Sequence, residues 1–507
     1  MKIKYSIPVI IFILHAFSAK TQHLSVNMPQ NSVVSWVEKD PKWTLWEAAV
    51  QRLATDTSLR HGQASIVIMD VQSGNIIASH NPNMSVIPAS NMKIVTTAAA
   101  LGILGADFQF RTDLQYDGVI KDSILNGNLF IKGNGDPTLG SPLMDSIPSM
   151  DSVLTAFTLS IKQLGIKKIN GKIVGDGSAF EAATAVQSWL WEDLGSYYGV
   201  GPSGLNFHEN LYDLSFWQNS SSGGTAAIDT ITPYVPNFHL LNDVKSVGND
   251  DDTFIYSTPY ATTGIVRGNI PTGNKKFSIQ GALPDPPYFA AWHLRKRLIE
   301  TGIQVTDSAT TQLKLEQNNT PLLSRQTFFT WRSPHLSDIV KRTNTESINL
   351  YCEAMVRAIA LQKTGIGSNE MGVREIVNYW RSKGVDTEGL FMQDGSGLSP
   401  RNGVTAMQLA TILRLQTFDN QTFIHFFNSL PIPSKTGTLK NMFKNNPSVM
   451  TRLRAKSGTI TRVKSYSGYV TTTDGRQLAF SAICNNFTCS QREIRRKLEQ
   501  FMIEICQ

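Results

Sequence analysis

Three short groupings of hydroxyl, amine and amide side chains stand out in this 507-residue sequence. In Ser90-Asn91-Met92-Lys93 a serine precedes a lysine by three positions, which places both on one face of a helical turn. No other serine in the chain has a lysine at that offset. An amine partly buried there sheds its proton readily, and a neutral lysine can take the proton of an adjacent serine. A helix N-terminus at the same point adds a positive field that favours an oxyanion beside Ser90. By itself the pattern also fits a capping serine followed by a surface lysine. Ser347-Ile348-Asn349 opens a second helical pattern, although Ser25-Val26-Asn27 and Ser79-His80-Asn81 share its letters. The third grouping occurs twice, as Lys435-Thr436-Gly437-Thr438 and as Lys456-Ser457-Gly458-Thr459. The second copy runs into an edge-strand pattern, whereas the first runs into Leu439 to Pro447, which has none. A strand edge offers a lysine, hydroxyls and, at Gly458, an unobstructed backbone to an extended peptide. Lys456 is therefore the expected site lysine and Lys435 a loop coincidence.

These groups need elements to hold them. Trp46 to Leu59 reads as a helix, and Ser65 to Val71 with Asn75 to Ser79 as a hairpin. Ser90 to Leu104 reads as a second helix, with Pro88 just ahead of it. From Phe108 to Leu283 the composition shifts to Gly, Asn, Asp and Thr with short alternating strands, so this stretch is expected to be a mostly β insert. Helical patterns return at Tyr288–Thr301, Ser347–Gln362 and Asn369–Lys383. The chain closes with strands at Val463–Thr471 and Gln477–Asn485, then a helix from Ser490 with Ile494, Leu498, Phe501, Met502 and Ile505 on one face. One sheet built from both ends of the chain would need nothing from the insert, which would form separate cores. Trp189, Trp191, Tyr197 and Tyr198 in the insert suit either a core or a surface that stacks on sugars or peptides.

The length allows about three domains, and 41% apolar residues argue for folded cores rather than disorder. The formal charge of +7 is too mild to imply nucleic acid; Lys2, Lys4 and Lys20 of the expected leader contribute part of it. That leader, residues 1–21, has two lysines, an apolar run from Ile7 to Leu14 and small residues at Ala16 to Ala19. It reads as a secretory signal peptide and predicts export. No run of 18 apolar residues follows it, which excludes a multi-span membrane protein. Cys352, Cys484, Cys489 and Cys506 admit three pairings in an oxidising compartment, and neither they nor the nine histidines make a metal motif.

In chain order, Ser-x-x-Lys, Ser-x-Asn and Lys-Ser/Thr-Gly are the three elements of the penicilloyl-serine transferases. With Ser347 following Ser90 by 257 positions, the chain resembles the D-alanyl-D-alanine carboxypeptidase/endopeptidase branch, the class C low-molecular-mass penicillin-binding proteins. Gly133 to Leu139, Tyr197 to Ser203 and Asp394 to Ser399 are similar to that family too, and the likeness runs from Trp46 to the C-terminus. It departs at Ser457, where threonine is usual, and at Ile348, where aspartate is common.

The resemblance implies an α+β fold: a transpeptidase/β-lactamase-like domain of antiparallel sheet and flanking helices, from residues 22–107 and 286–507, with β-rich domains inserted at 108–285. It implies acyl transfer to water without a cofactor. Ser90 would be the nucleophile, Lys93 the general base and Ser347 a proton relay. Asn349, Lys456, Ser457, Gly458 and Thr459 would bind substrate, and the N–H groups of Ser90 and Thr459 would form the oxyanion hole. The implied partners are peptidoglycan stem peptides and β-lactams, the implied location the periplasm. A serine β-lactamase or esterase, or a wall-binding protein with a vestigial serine, would share the motifs.

Overall fold

The computed structural model describes residues 41–144, 147–321 and 323–507. The expected leader lies outside the described residues.

A five-stranded antiparallel sheet is built from both parts of the chain, in the order Leu453–Ile460, Val463–Thr471, Gln477–Asn485, Gln63–Asp70, Ile76–His80. Its inner strands are buried along most of their length because helices cover both faces. Ile66, Ile68, Phe480 and Ala482 point to one face, where they meet Trp46, Val50 and Leu53 of the helix Pro41–Ala54 and Ile494, Leu498 and Phe501 of the helix Gln491–Ile505. Alternate residues point the other way: Val67 and Met69 pack on Ala406 and Ala410, and Ala479 and Ile483 join the core that contains the helix Met92–Leu104. Leu453–Ile460 is an edge strand, joined to its one neighbour by a two-residue turn at Thr461-Arg462 with Arg462 in the left-handed region.

The insert holds its own core, in which Leu114, Ile131, Phe157 and Ile173 meet Leu214 and Phe216. It also contains a 14-residue helix, Met150–Gln163, absent from the sequence expectation and capped by Ser149. The expected boundary after residue 285 does not follow the structure. Phe289, Leu294 and Leu298 of the helix Pro286–Glu300 complete the insert's core, and the strand Gln326–Arg332 pairs with Arg111–Tyr116. The chain leaves the inserted sheets only near Arg332, because strands so far apart in sequence share one ladder. Among the described residues no helix is long and apolar enough to cross a membrane, and all four cysteines are free thiols.

Candidate active site

Ser90 lies in a 3-10 turn, Ala89–Asn91, that feeds the helix Met92–Leu104. Ala89 before it has φ 48°, a left-handed backbone that costs a non-glycine residue about 1–3 kcal/mol and needs outside support. The support is close at hand: Ser465 Oγ donates to the Pro88 carbonyl at 2.7 Å, and the Ala89 carbonyl lies so near Gly397 that a Cβ there would sit 1.9 Å from it.

One helical turn on, Lys93 is fully buried. Its ammonium reaches three acceptors: Ser90 Oγ at 2.9 Å, Asn349 Oδ1 at 2.6 Å and the Ser396 carbonyl at 2.8 Å. Burial pulls its pKa below the ordinary lysine value, against the opposing pull of Cys352, Glu353 and Asp394. Once neutral, the amine keeps two donors for Asn349 and Ser396 and turns its lone pair to the Ser90 hydroxyl.

Ser347 joins two helices, Leu336–Glu346 and Asn349–Thr364, in a left-handed conformation with φ 64°. That kink carries its hydroxyl to Lys456, whose amine donates to Ser347 Oγ at 2.9 Å and to the Ser457 carbonyl at 2.8 Å. Lys456 is also fully buried. Burial, then repulsion from Lys93, pushes it well below the usual lysine range. Gly458 faces the nucleophile turn: a Cβ there would lie 2.3 Å from Ser465 Oγ, 2.6 Å from the Pro88 carbonyl and 3.0 Å from Ser90 N. Thr459, the next residue, is exposed. Ser90, Lys93 and Asn349 thus share hydrogen bonds, Ser347 and Lys456 share another, and Gly458 lies against the Ser90 turn; Ser457 and Thr459, which alternate with Lys456 and Gly458 along the strand, bond Thr438 and Lys464 instead. Lys435 is exposed on a loop, and the same loop contributes Thr438, whose Oγ1 accepts from Ser457 Oγ at 2.8 Å.

The sequence pattern of the D-Ala-D-Ala carboxypeptidase 3 (S13) family matches residues 46–505. This chain belongs to that family. It is 24% identical over 442 residues to the D-alanyl-D-alanine carboxypeptidase DacB of Haemophilus influenzae, covering 85% of this chain and 87% of that one. Penicillin-sensitive carboxypeptidase A of Dictyostelium discoideum is 27% identical over 450 residues, covering 84% and 83%. The crystal structure of penicillin binding protein 4 (dacB) from Haemophilus influenzae shares the fold, with a TM-score of 0.77 at 23% identity over 91% of this chain and 98% of that one.

Other groups in this S13 site escaped sequence reasoning because they act through the backbone or through distant strands. The Ser396 carbonyl on Lys93 belongs to Asp394-Gly395-Ser396-Gly397, a loop held by Glu353, which accepts from Ser396 N at 2.7 Å and Gly395 N at 3.2 Å. Burial and the nearby Asp394 push Glu353 up to about 7. Asn349 Nδ2 donates to the Tyr198 carbonyl at 2.7 Å. Around it, Trp189 Nε1 bonds Asp394 Oδ2 at 2.8 Å, and Glu209 accepts from Tyr351 at 2.5 Å. The five-stranded sheet takes no strand from the insert, whereas residues 183–210 are stitched to the helix that carries Asn349. Trp189 is buried there, whereas Trp191 and Tyr197 are 61% and 56% exposed.

Proposed function

We propose that this S13 protein is a penicillin-binding serine D-Ala-D-Ala carboxypeptidase/endopeptidase that works on peptidoglycan peptides through an ester on Ser90. The observation that carries the reading is Lys93, desolvated and hydrogen-bonded at once to Ser90 and Asn349. Neutral Lys93 takes the Ser90 proton as Oγ attacks the carbonyl carbon of the penultimate D-Ala. The N–H groups of Ser90 and Thr459 receive the oxyanion, each worth about 3 kcal/mol by analogy with other hydrolases. As the C–N bond breaks, the leaving amine gains a proton through Ser347, which Lys456 contacts. Water then cleaves the ester and restores Ser90. Asn349 holds the acyl-side amide, and the Thr459 hydroxyl faces the carboxylate of the leaving residue, while Ser457 braces the strand through its bond to Thr438. β-Lactams are the expected inhibitors, in keeping with a solved complex of penicillin binding protein 4 from Haemophilus influenzae with a β-lactam. Residues 1–21 support export, and the substrate supports the periplasm.

The test is mass spectrometry of the protein after incubation with a penicillin, with the modified peptide mapped. A persistent adduct on Ser90, absent from Ser90→Ala, is expected. An adduct elsewhere, or none, would overturn the assignment, and rapid release of hydrolysed penicillin would favour a β-lactamase.

A further inference from the structure

The substrate of the proposed reaction carries a negative charge on its leaving residue, yet the two lysines of the motifs are poorly placed to balance it. Lys93 and Lys456 are fully buried. The first is engaged by Ser90, Asn349 and Ser396, the second by Ser347 and Ser457. Burial and mutual repulsion drive Lys456 toward its neutral form.

A third lysine stands beside them on the neighbouring strand. Lys464 is paired directly across the ladder from Thr459, which in an antiparallel sheet puts the two side chains on the same face about 5 Å apart at Cβ. Its Nζ donates to Thr459 Oγ1 at 2.6 Å. Thr459 is exposed and its oxygen is already occupied as an acceptor, so its hydroxyl proton is free to point outward at an anion. Ser457, by contrast, directs its proton to Thr438. Arg495, the cation that most affects Lys464, is committed to the Asn441 carbonyl at 3.0 Å. The Lys464 ammonium itself lies over the ring of Tyr466, 5.5 Å from its centroid, a cation–π contact that helps hold it in place.

Resting on the function proposed above, we propose that Lys464, acting with the Thr459 hydroxyl, is the specificity residue that selects peptides whose leaving D-residue has a free α-carboxylate over those in which it is amidated. Thr459 supplies the directed hydrogen bond and Lys464 the charge behind it. A terminal D-Ala presents such a carboxylate, and so does a cross-linked D-amino acid that keeps its own; both belong to one recognised class.

The experiment compares steady-state hydrolysis of a diacetyl-L-Lys-D-Ala-D-Ala peptide and its C-terminal carboxamide by the wild type, Lys464→Met and Lys464→Arg. Methionine keeps the apolar stem and removes the charge. Lys464→Met is expected to raise KM for the carboxylate about ten- to a hundredfold, the scale of losing a charged hydrogen bond, with kcat changed only a few-fold. Its preference for carboxylate over carboxamide should collapse, and Lys464→Arg should restore much of it. An unchanged preference in Lys464→Met, or an equal loss on both peptides that arginine does not rescue, would overturn the inference. The failure of the wild type to hydrolyse either peptide or form a penicillin adduct on Ser90 would overturn the function itself, and the inference with it. The preference of the wild type alone supplies a check independent of any variant's folding: equal KM for both peptides would also sink it.

Discussion

The Asn349 carboxamide nitrogen donates to the Tyr198 carbonyl at 2.7 Å, so a residue of the catalytic helix is anchored by the inserted region. Its oxygen meanwhile accepts from Lys93 at 2.6 Å. The amide is thus oriented from both sides, which leaves the insert directly involved in aligning Lys93, the proposed general base. Because the anchor is a backbone carbonyl, its loop must be tested through the bonds that hold it. Trp189→Phe removes the indole bond to Asp394 and is expected to cost about 1 kcal/mol of stability. It should lower penicillin acylation and peptide hydrolysis by similar factors. Stopped-flow acylation and peptide turnover measured side by side would show this; loss of peptide hydrolysis alone would mean the insert governs only access.

The two lysine triplets should separate cleanly. Lys456 is buried against Ser347, whereas Lys435 is exposed on its loop. Lys456→Ala is expected to slow penicillin acylation by orders of magnitude and Lys435→Ala to stay within a few-fold, provided circular dichroism shows both folded. The opposite ranking would mean the site lysine has been misassigned.

Gly458→Ala probes how closely the edge strand approaches the nucleophile. The added Cβ would lie 2.6 Å from the Pro88 carbonyl and 3.0 Å from Ser90 N, and neither backbone atom can move without shifting Ser90. Overpacking of this kind costs about 1–3 kcal/mol. The acylation rate should fall far more steeply than the melting temperature, and a near-normal rate would show that the turn is compliant.

The pH dependence of substrate binding follows from Lys464. Burial, then the positive Arg495, lowers it to about 8. The other neighbours keep their charge state nearby: Tyr466 is pushed above the ordinary tyrosine value by burial and stays neutral. Lys464 is charged below about 8 and loses its charge as the pH rises through that value. KM for a carboxylate peptide should therefore climb above pH 8 while KM for the carboxamide does not. Parallel profiles for the two peptides would contradict this.

A thiol-labelling experiment reads the burial of the cysteines. Cys352, Cys484 and Cys506 are buried, and burial pushes each thiol above its ordinary pKa. Only the half-buried Cys489 is expected to react quickly with an alkylating reagent in the native protein, as thiolate character and exposure set the rate. Rapid alkylation of Cys352 would show that the core behind Lys93 opens.

The chemistry was legible in the sequence because it depends on residue types at local spacings. A serine and a lysine three positions apart at a helix start must share a face, and the strand pattern after Lys456 separated it from Lys435. The closing strands Val463–Thr471 and Gln477–Asn485 were equally readable, since two strand patterns joined by a Thr-Asp-Gly turn leave little choice of register. What only the tertiary structure decided depends on contacts between distant segments. The boundary near Arg332 follows from a strand pairing with one more than two hundred positions away, and no local pattern records its partner. The carbonyls of Tyr198 and Ser396 could not be found from side-chain types, because every residue carries one. No local pattern marks Lys464; the ladder sets it opposite Thr459, for register across two strands is a property of their pairing and belongs to neither alone.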